Sequence, residues 1–376
     1  MTKSLNEYVT LGRSGLRVSP LSLGTMTFGT EWGWGSEEDV ARAVFNTYID
    51  AGGNFVDTAN VYTEGRSEEL VGKFIAERSL REQVVLATKF TFNPQPGDPN
   101  AGGNGRKNIF RSVEDSLRRL QTDYIDLYWL HAWDTVTPVE EVVSALSDLI
   151  RAGKIRYYGF SDTPAWYVAR AKTISERSAN DGLIALQLEY SLVERNIERE
   201  HIPAAQELGL GITPWSPLAG GFLTGKYQQT GDTGKGEGRL ETTKESGNPI
   251  FHRFTPRNWE ILKVLVDLAK QLGRPASQVA LNWVANQPGV TSTIIGASKL
   301  SQLEDNLRYA EFEIPAEGRK RLDEVSAIEL VHPYGFFRPD FQGWISGATG
   351  LRPWQPARVY AQPAKEVLVA AKAASD

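Results

Sequence analysis

NFVDTANVYTEGRSEELVGKFIAERSLREQVVLATKF, residues 54–90, contains one complete strand–helix–strand unit. The flanking runs NFVDTAN (54–60) and VVLATKF (84–90) are short and almost continuously apolar, as strands covered on both faces must be. Between them, RSEELVGKFIAER (66–78) spaces its apolar residues at the helical period. The same alternation extends outward. SLGTMTFG (22–29) precedes the unit, and YIDLYWLH (124–131), IRYYGFSD (155–162), IALQLEY (184–190), GITPWSP (211–217) and TSTIIGA (291–297) follow it. Helix-period stretches separate these runs, several closing on a glycine that suits a C-cap: Gly52, Gly153 and Gly209. Eight strands, each followed by a helical segment, predict a closed (β/α)8 TIM barrel rather than a doubly wound open sheet.

Three stretches lie outside the repeat. Residues 8–18 (YVTLGRSGLRV) predict a β-hairpin turning at Gly12 and Gly15, placed to plug the bottom of the barrel. Residues 227–250, rich in Gly and Thr, predict a long structureless loop after the seventh strand that folds as a lid over a bound ligand. Residues 327–376 carry Phe336, Phe337, Phe341, Trp344 and Trp354, and predict an aromatic extension packed on a barrel of residues 1–326 and narrowing the substrate mouth.

Composition narrows the function. A chain of 376 residues with 41 % hydrophobic and 23 % charged residues is globular in character. With no cysteine it has no disulfides, thiolate metal sites or cysteine nucleophile. A net charge of −5 lacks the basic footprint of nucleic-acid binding. No apolar run reaches the ~18 residues of a membrane span, and the first residues lack the apolar core of a signal peptide. The expectation is a cytoplasmic protein, monomeric or weakly self-associating, acting on a small molecule without nucleic acid, membrane or metal.

Catalytic groups in such barrels sit at the C-terminal ends of strands. There the sequence offers Asp57 with Tyr62 five residues on, Lys89, and His131. A lysine ending so apolar a strand is partly desolvated, and a neighbouring Asp57 restores its charge. The ammonium in turn lowers the Tyr62 phenol toward working pH, making it a proton donor, while His131 orients a carbonyl oxygen. The later strand ends suit a nicotinamide dinucleotide. Ser161, Asp162 and Gln187 are placed to hold a carboxamide, and Trp215 to stack on the ring. The run SPLAGGFLTGK (216–226) lets backbone approach a pyrophosphate. Trp32, Trp34, Phe92 and Trp133 follow strands one, three and four, where they read as substrate-pocket walls. Taken singly, each residue has a plainer reading: a structural ion pair, a core histidine, a packed tryptophan, a solvated helix face. Only the convergence of strand ends reverses it.

Taken together, NFVDTANVYTEGRSEELVG (54–72), LATKF (86–90), LYWLHAWD (127–134), GFSDTPAW (159–166), QLEYSLVERNIERE (187–200), GITPWSPLAGGFLTGKY (211–227) and IIGASKLSQLEDN (294–306) resemble the aldo-keto reductase superfamily. SDTPAW and WSPLAGGFLTGKY look most like its aryl-alcohol dehydrogenase and norsolorinic-acid-reductase branch. The resemblance implies a catalytic tetrad at Asp57, Tyr62, Lys89 and His131, and NADPH or NADP as cofactor in preference to NADH. It implies cofactor contacts at Gly24, Thr25, Asp57, Ser161, Asp162, Gln187, Trp215, Ser216, Pro217, Leu218, Gly220 and Lys226, and further ones at Gly296, Ser298, Gln302, Asp305 and Asn306. Asp162 stands where many members have Asn, and Ser298 where some have an Arg for the 2′-phosphate. The expected reaction is reversible reduction of an aryl or polycyclic carbonyl. Competing readings are a Schiff-base lyase using Lys89, a nucleotide-sensing barrel without turnover, and a hydrolase using Asp57 with the mid-strand Asp126.

Overall fold

Alternation along a strand sends successive side chains to opposite faces, and here it sorts a barrel interior from an outer layer. The computed structural model describes residues 5–177, 182–231, 233–243, 251–347 and 349. Eight parallel strands form one sheet: β3 (Leu21–Gly24), β4 (Phe55–Asp57), β5 (Val85–Phe90), β6 (Ile125–Leu130), β7 (Ile155–Ser161), β8 (Leu183–Glu189), β9 (Gly211–Trp215) and β12 (Thr293–Ile295). Their order is β12-β3-β4-β5-β6-β7-β8-β9. A parallel bridge between Ile212 and Val290, and a 2.8 Å bond from Thr291 N–H to the Ile212 carbonyl, bring the two ends of the sheet together. This is the expected (β/α)8 barrel.

The crossover helices are α1 (Glu38–Asp50), α2 (Arg66–Glu77), α3 (Arg106–Leu120), α4 (Val139–Arg151), α5 (Ala165–Arg177) and α6 (His201–Leu208). The seventh crossover departs from one helix per strand. It contains a short α7 (Arg239–Thr242) and two full helices, α8 (Pro256–Leu272) and α9 (Ala276–Ala285). The start of α8 is set locally: the Thr255 hydroxyl accepts the Asn258 N–H at 3.2 Å, with proline at the first helical position. Helices α10 (Leu300–Leu307) and α11 (Ala316–Val325) follow β12.

At the N-terminus, β1 (Val9–Thr10) and β2 (Arg17–Val18) pair antiparallel as the expected hairpin. Leu11 and Val18 are fully buried, in one cluster with the inward-facing Phe55, Val85, Leu127 and Trp129. Phe55, Val85 and Leu127 hold early and middle strand positions, so the hairpin plugs the N-terminal end. Gly12 makes this approach possible. It sits at φ +60°, and a Cβ there would lie 2.4 Å from the Ile184 carbonyl. Trp129 fills the next layer up, in space that Gly159 leaves for its ring. The opposite end of each strand is left for the site.

The expectation of a structureless 227–250 is corrected. β10 (Gln228–Thr230) and β11 (Thr233–Lys235) form a second hairpin, followed by α7. It is anchored by aromatic packing: Tyr227 meets Phe254 at 5.5 Å, and the Tyr227 hydroxyl accepts the Leu240 N–H. Residues 232 and 244–250 of that stretch lie outside the described residues.

The chain divides into two compact units, Met1–Ile328 and Glu329–Asp376. Within the second, α12 (Pro339–Ile345) carries Phe341, whose ring meets Phe336 at 4.4 Å and Trp344 at 5.3 Å. Trp354 lies outside the described residues. Among the described residues no helix is long and apolar enough to cross a membrane.

Candidate active site

Strand β4 ends on Asp57, Lys89 is the penultimate residue of β5, and His131 directly follows β6. Asp57 and Lys89 are buried. Tyr62 opens a short 3-10 turn, Tyr62–Gly65, in which Thr63 (φ +47°) and Glu64 (φ +59°) are left-handed. Such backbone persists in non-glycine residues only where neighbours fix it. Here the Thr63 hydroxyl donates to the Phe28 carbonyl at 2.7 Å and accepts the Ser67 N–H at 3.1 Å.

The four groups converge. The Lys89 ammonium pairs with Asp57 Oδ1, donates to the Thr58 carbonyl at 2.9 Å, and lies 3.1 Å from the Tyr62 hydroxyl. The other Asp57 oxygen accepts the Gln187 amide N–H at 3.0 Å. The His131 ring stands edge-on to Tyr62 at 5.8 Å, and its Nδ1 is buried without a protein partner. Burial alone would depress the Lys89 pKa, but the Asp57 charge and the Tyr62 oxygen together raise it, so the ammonium is kept. Burial drives the His131 imidazole well below its ordinary range, reinforced by the Lys89 charge, so the ring is neutral.

Tyr62 corrects an expectation. Burial raises its phenol above the ordinary value, outweighing the lowering by Lys89, and the Asp57 charge adds to the rise. The proton therefore rests on Tyr62 at neutral pH. The group is a neutral acid, stabilised as phenolate only while it reacts.

The aromatic residues divide into two groups. Trp32 stacks edge-on to Tyr62 at 6.3 Å and meets Trp34 at 5.5 Å. Phe92 meets His131 at 4.7 Å. Trp32 and Phe92 thus touch the tetrad directly, and Trp34 backs Trp32. Trp133 instead meets Trp166 at 5.6 Å and Tyr167 at 6.1 Å, along α5.

The second half of the mouth begins at Ser161 and Gln187, both buried on neighbouring strands. The Trp215 indole N–H donates to Asp162 Oδ1 at 3.2 Å. After β9 the chain turns sharply. Ser216 (φ +54°) accepts the Gly220 N–H on its hydroxyl, and Gly220 and Gly221 are left-handed around Pro217 and Leu218. Lys226, Arg239 and Lys299 gather beside this turn. Burial lowers the Lys226 pKa, and the charges of Arg239 and Lys299 lower it further. Among the described residues no carboxylate pairs with any of the three. Arg239 lies over the Trp34 ring at 4.4 Å. Nothing in the sequence pattern singled it out, since it lies in a loop with no periodicity. An unpaired cluster of cations beside a glycine turn fits the phosphates of a dinucleotide.

The remaining expected contacts are mixed. A Cβ on Gly296 would make an ordinary 3.7 Å contact with the Gly24 carbonyl, whereas one on Gly24 would come within 2.7 Å of Ile294 Cγ2. Thr25 is fully buried and bonds the Asp57 carbonyl and the Ser67 hydroxyl, fixing the end of β4. Gln302 accepts the Ser298 N–H at 2.9 Å. Asp305 accepts from Ser277 at 2.7 Å and Gln278 at 2.8 Å, tying α10 to α9 with both oxygens, and its neighbour Asn306 is buried. Asp126 is held by Arg81 and the Leu86 N–H near the start of β6, remote from the strand ends.

The Aldo/keto reductase family matches residues 20–327. An uncharacterized oxidoreductase, YrpG, of Bacillus subtilis (strain 168) is 39 % identical over 85 % of this chain and 95 % of its own length. A probable voltage-gated potassium channel subunit beta of Oryza sativa subsp. japonica is 37 % identical over 87 % of this chain and 98 % of its own. An aryl-alcohol dehydrogenase [NADP(+)] of Phanerodontia chrysosporium is 31 % identical over 86 % of each chain. The family match spans all eight barrel strands and every strand end that contributes to the mouth, and the chain belongs to the aldo/keto reductase family.

Proposed function

We propose that the protein reduces an aryl or polycyclic aldehyde or ketone to the alcohol, reversibly, with NADPH as the reductant and Tyr62 as general acid. The observation that carries this reading is the contact chain Asp57–Lys89–Tyr62, set beside a neutral His131 in one barrel mouth. A reduced nicotinamide supplies the hydride when bound. The His131 imidazole, being neutral, donates one hydrogen bond to the carbonyl oxygen and sets its direction. Tyr62 passes its proton to that oxygen as charge develops there. The phenolate left behind faces the Lys89 ammonium at 3.1 Å and is stabilised by it. Asp57 keeps Lys89 cationic, which disfavours the Schiff-base alternative. Ser161, Gln187 and Trp215 line the place for the nicotinamide. The cations Lys226, Arg239 and Lys299 line that for the phosphates, including the 2′-phosphate that separates NADPH from NADH. Trp32, Trp34 and Phe92 give an apolar rim suited to an aromatic carbonyl.

A panel of aryl aldehydes and ketones followed by NADPH absorbance tests the reading. Tyr62→Phe should lower kcat by about 10²–10⁴-fold, the usual worth of a positioned acid, with NADPH affinity nearly intact. Retention of more than about a tenth of kcat on that scale would remove Tyr62 from the role. The channel-subunit relative favours a second reading, nucleotide sensing without turnover. Tight NADPH binding with no oxidation by any carbonyl of the panel would favour it.

A further inference from the structure

Asp162 is an acid without a counter-ion beside a tetrad whose own charges, Asp57 and Lys89, are paired. It follows β7 in left-handed backbone, φ +43°. That conformation is pinned on both sides: its N–H donates to the Gln187 carbonyl at 3.2 Å, and its carbonyl accepts the Trp133 N–H at 3.3 Å. The carboxylate is fixed toward Trp215, whose indole N–H it accepts at 3.2 Å, with a longer bond from the Ser161 hydroxyl at 3.4 Å. Both donors are neutral. An amide in this place would accept from the indole equally well. What the acid adds is a negative charge between Ser161, Gln187 and Trp215.

The charged groups around it are otherwise engaged. Lys89 on β5 is bound to Asp57 of β4 and to Tyr62. Glu189 on β8 is paired with Arg253. His131 after β6 is neutral, and the His201 ring of α6 bonds the Thr163 carbonyl. No cation among the described residues is dedicated to Asp162.

We propose that the Asp162 carboxylate discriminates between the oxidation states of the nicotinamide, holding the positively charged oxidised ring more tightly than the neutral reduced one. The inference rests on the reading that a nicotinamide dinucleotide occupies this half of the mouth. The physical basis is Coulombic. The oxidised ring is a cation, hydride addition removes its charge, and a fixed anion beside it favours only the charged form. Asp162 therefore biases the bound couple toward the oxidised cofactor. It also links that bias to pH. Asp162 stays open to solvent at the mouth, and the protein packed around it pushes its carboxyl up to about 6, against the pull of Trp215, Ser161 and Lys89. As pH falls through that value the charge is lost, and with it the preference. The neighbouring Glu189 carboxyl, raised to about 7 by burial, titrates nearby and needs its own control.

Quenching of tryptophan fluorescence in the full chain gives Kd values for NADP⁺ and NADPH between pH 5 and 8. At pH 8, Asp162→Asn should weaken NADP⁺ relative to NADPH by about tenfold, with NADPH itself changed by less than about threefold. In the wild-type chain the same ratio should shift toward NADPH as pH falls from 8 to 5. The shift should be absent in Asp162→Asn and present in Glu189→Gln. A wild-type ratio that does not move with pH overturns the inference without any variant, and Asp162→Ser repeats the comparison if Asp162→Asn fails to fold. Tight binding of both nucleotides with a ratio insensitive to pH and to Asp162→Asn would overturn the inference and leave the proposed reductase standing. A wild-type chain that binds neither nucleotide would overturn both.

Discussion

His131 shows how the mouth fixes a protonation state by position alone. Burial and the nearby Lys89 ammonium both disfavour its cation, so the folded protein holds it neutral where an ordinary imidazole would titrate. Nitrogen-detected NMR on histidine-labelled protein should show the His131 ring unprotonated from pH 8 down to pH 5.5; protonation with a midpoint near 6.5 would contradict the assignment. The sign for stability follows. Below an ordinary histidine pKa of about 6.5 the unfolded chain takes up a proton that the folded chain refuses, so this residue subtracts stability as pH falls through that range. The same alternation that places His131 in the mouth made Asp57, Lys89, Ser161 and Gln187 legible from sequence. Asp57, Lys89 and Ser161 fall at or next to the end of an apolar run, and Gln187 is the polar interruption within one. The direction of the Tyr62 shift was not legible. It depends on how far the turn buries the phenol, and on Asp57 lying close enough to cancel part of Lys89. Neither distance can be read from the spacing of three letters.

At the scale of elements, the N-terminal hairpin was legible because two glycines interrupt an alternating stretch. Its role as a plug followed from the barrel's need to close its apolar interior. The structure adds why the turn is intolerant of change. Gly12 is left-handed, and a Cβ would strike the Ile184 and Gly209 carbonyls and the Gly211 nitrogen, all within 2.7 Å. These are backbone atoms of the barrel floor and have little room to yield. Gly12→Ala should therefore cost at least about 2 kcal/mol, adding left-handed strain to a displaced plug. Urea denaturation reads this as a lowered midpoint, and an unchanged midpoint would mean the hairpin does not bear on the barrel as described. NADPH affinity should be preserved, since the site lies at the other end of the strands. The segment after β9 was misread for a physical reason. Its strands are three residues long and α7 four, too short to show a period. Its order comes from contacts with distant residues: Tyr227 on Phe254, and Gly234 beneath the Phe254 ring. The same contacts carry Arg239 to Trp34 and the glycine turn after β9, so the residue most easily missed in sequence arrives with the element most easily missed.

At the scale of the whole molecule, the barrel completes itself before the aromatic extension begins. All eight strands, the closure at Ile212 and Val290, and the last helix α11 lie within Met1–Ile328. The end of that unit is tied down internally. Arg195 donates to the Asp323 carbonyl and the Ser326 hydroxyl, and Arg257 donates to the Ser326 carbonyl at 2.8 Å. Trp283 bonds the Asp323 carboxylate at 2.7 Å from its indole nitrogen. These anchors all precede residue 329, so a chain ending at Ile328 retains them. Such a chain should be soluble and melt cooperatively, within about 4 °C of the full-length protein, the shift expected for a loss of no more than ~1–2 kcal/mol at this size. An insoluble product, or a broad non-cooperative melt, would show that the extension is part of the barrel's own stability. With the fold intact, kinetics decide what the extension does. If its rings narrow the substrate mouth, truncation should change KM across a series of increasingly bulky aryl carbonyls while NADPH affinity stays constant. KM values that track the full-length chain across the whole series would remove the extension from substrate selection.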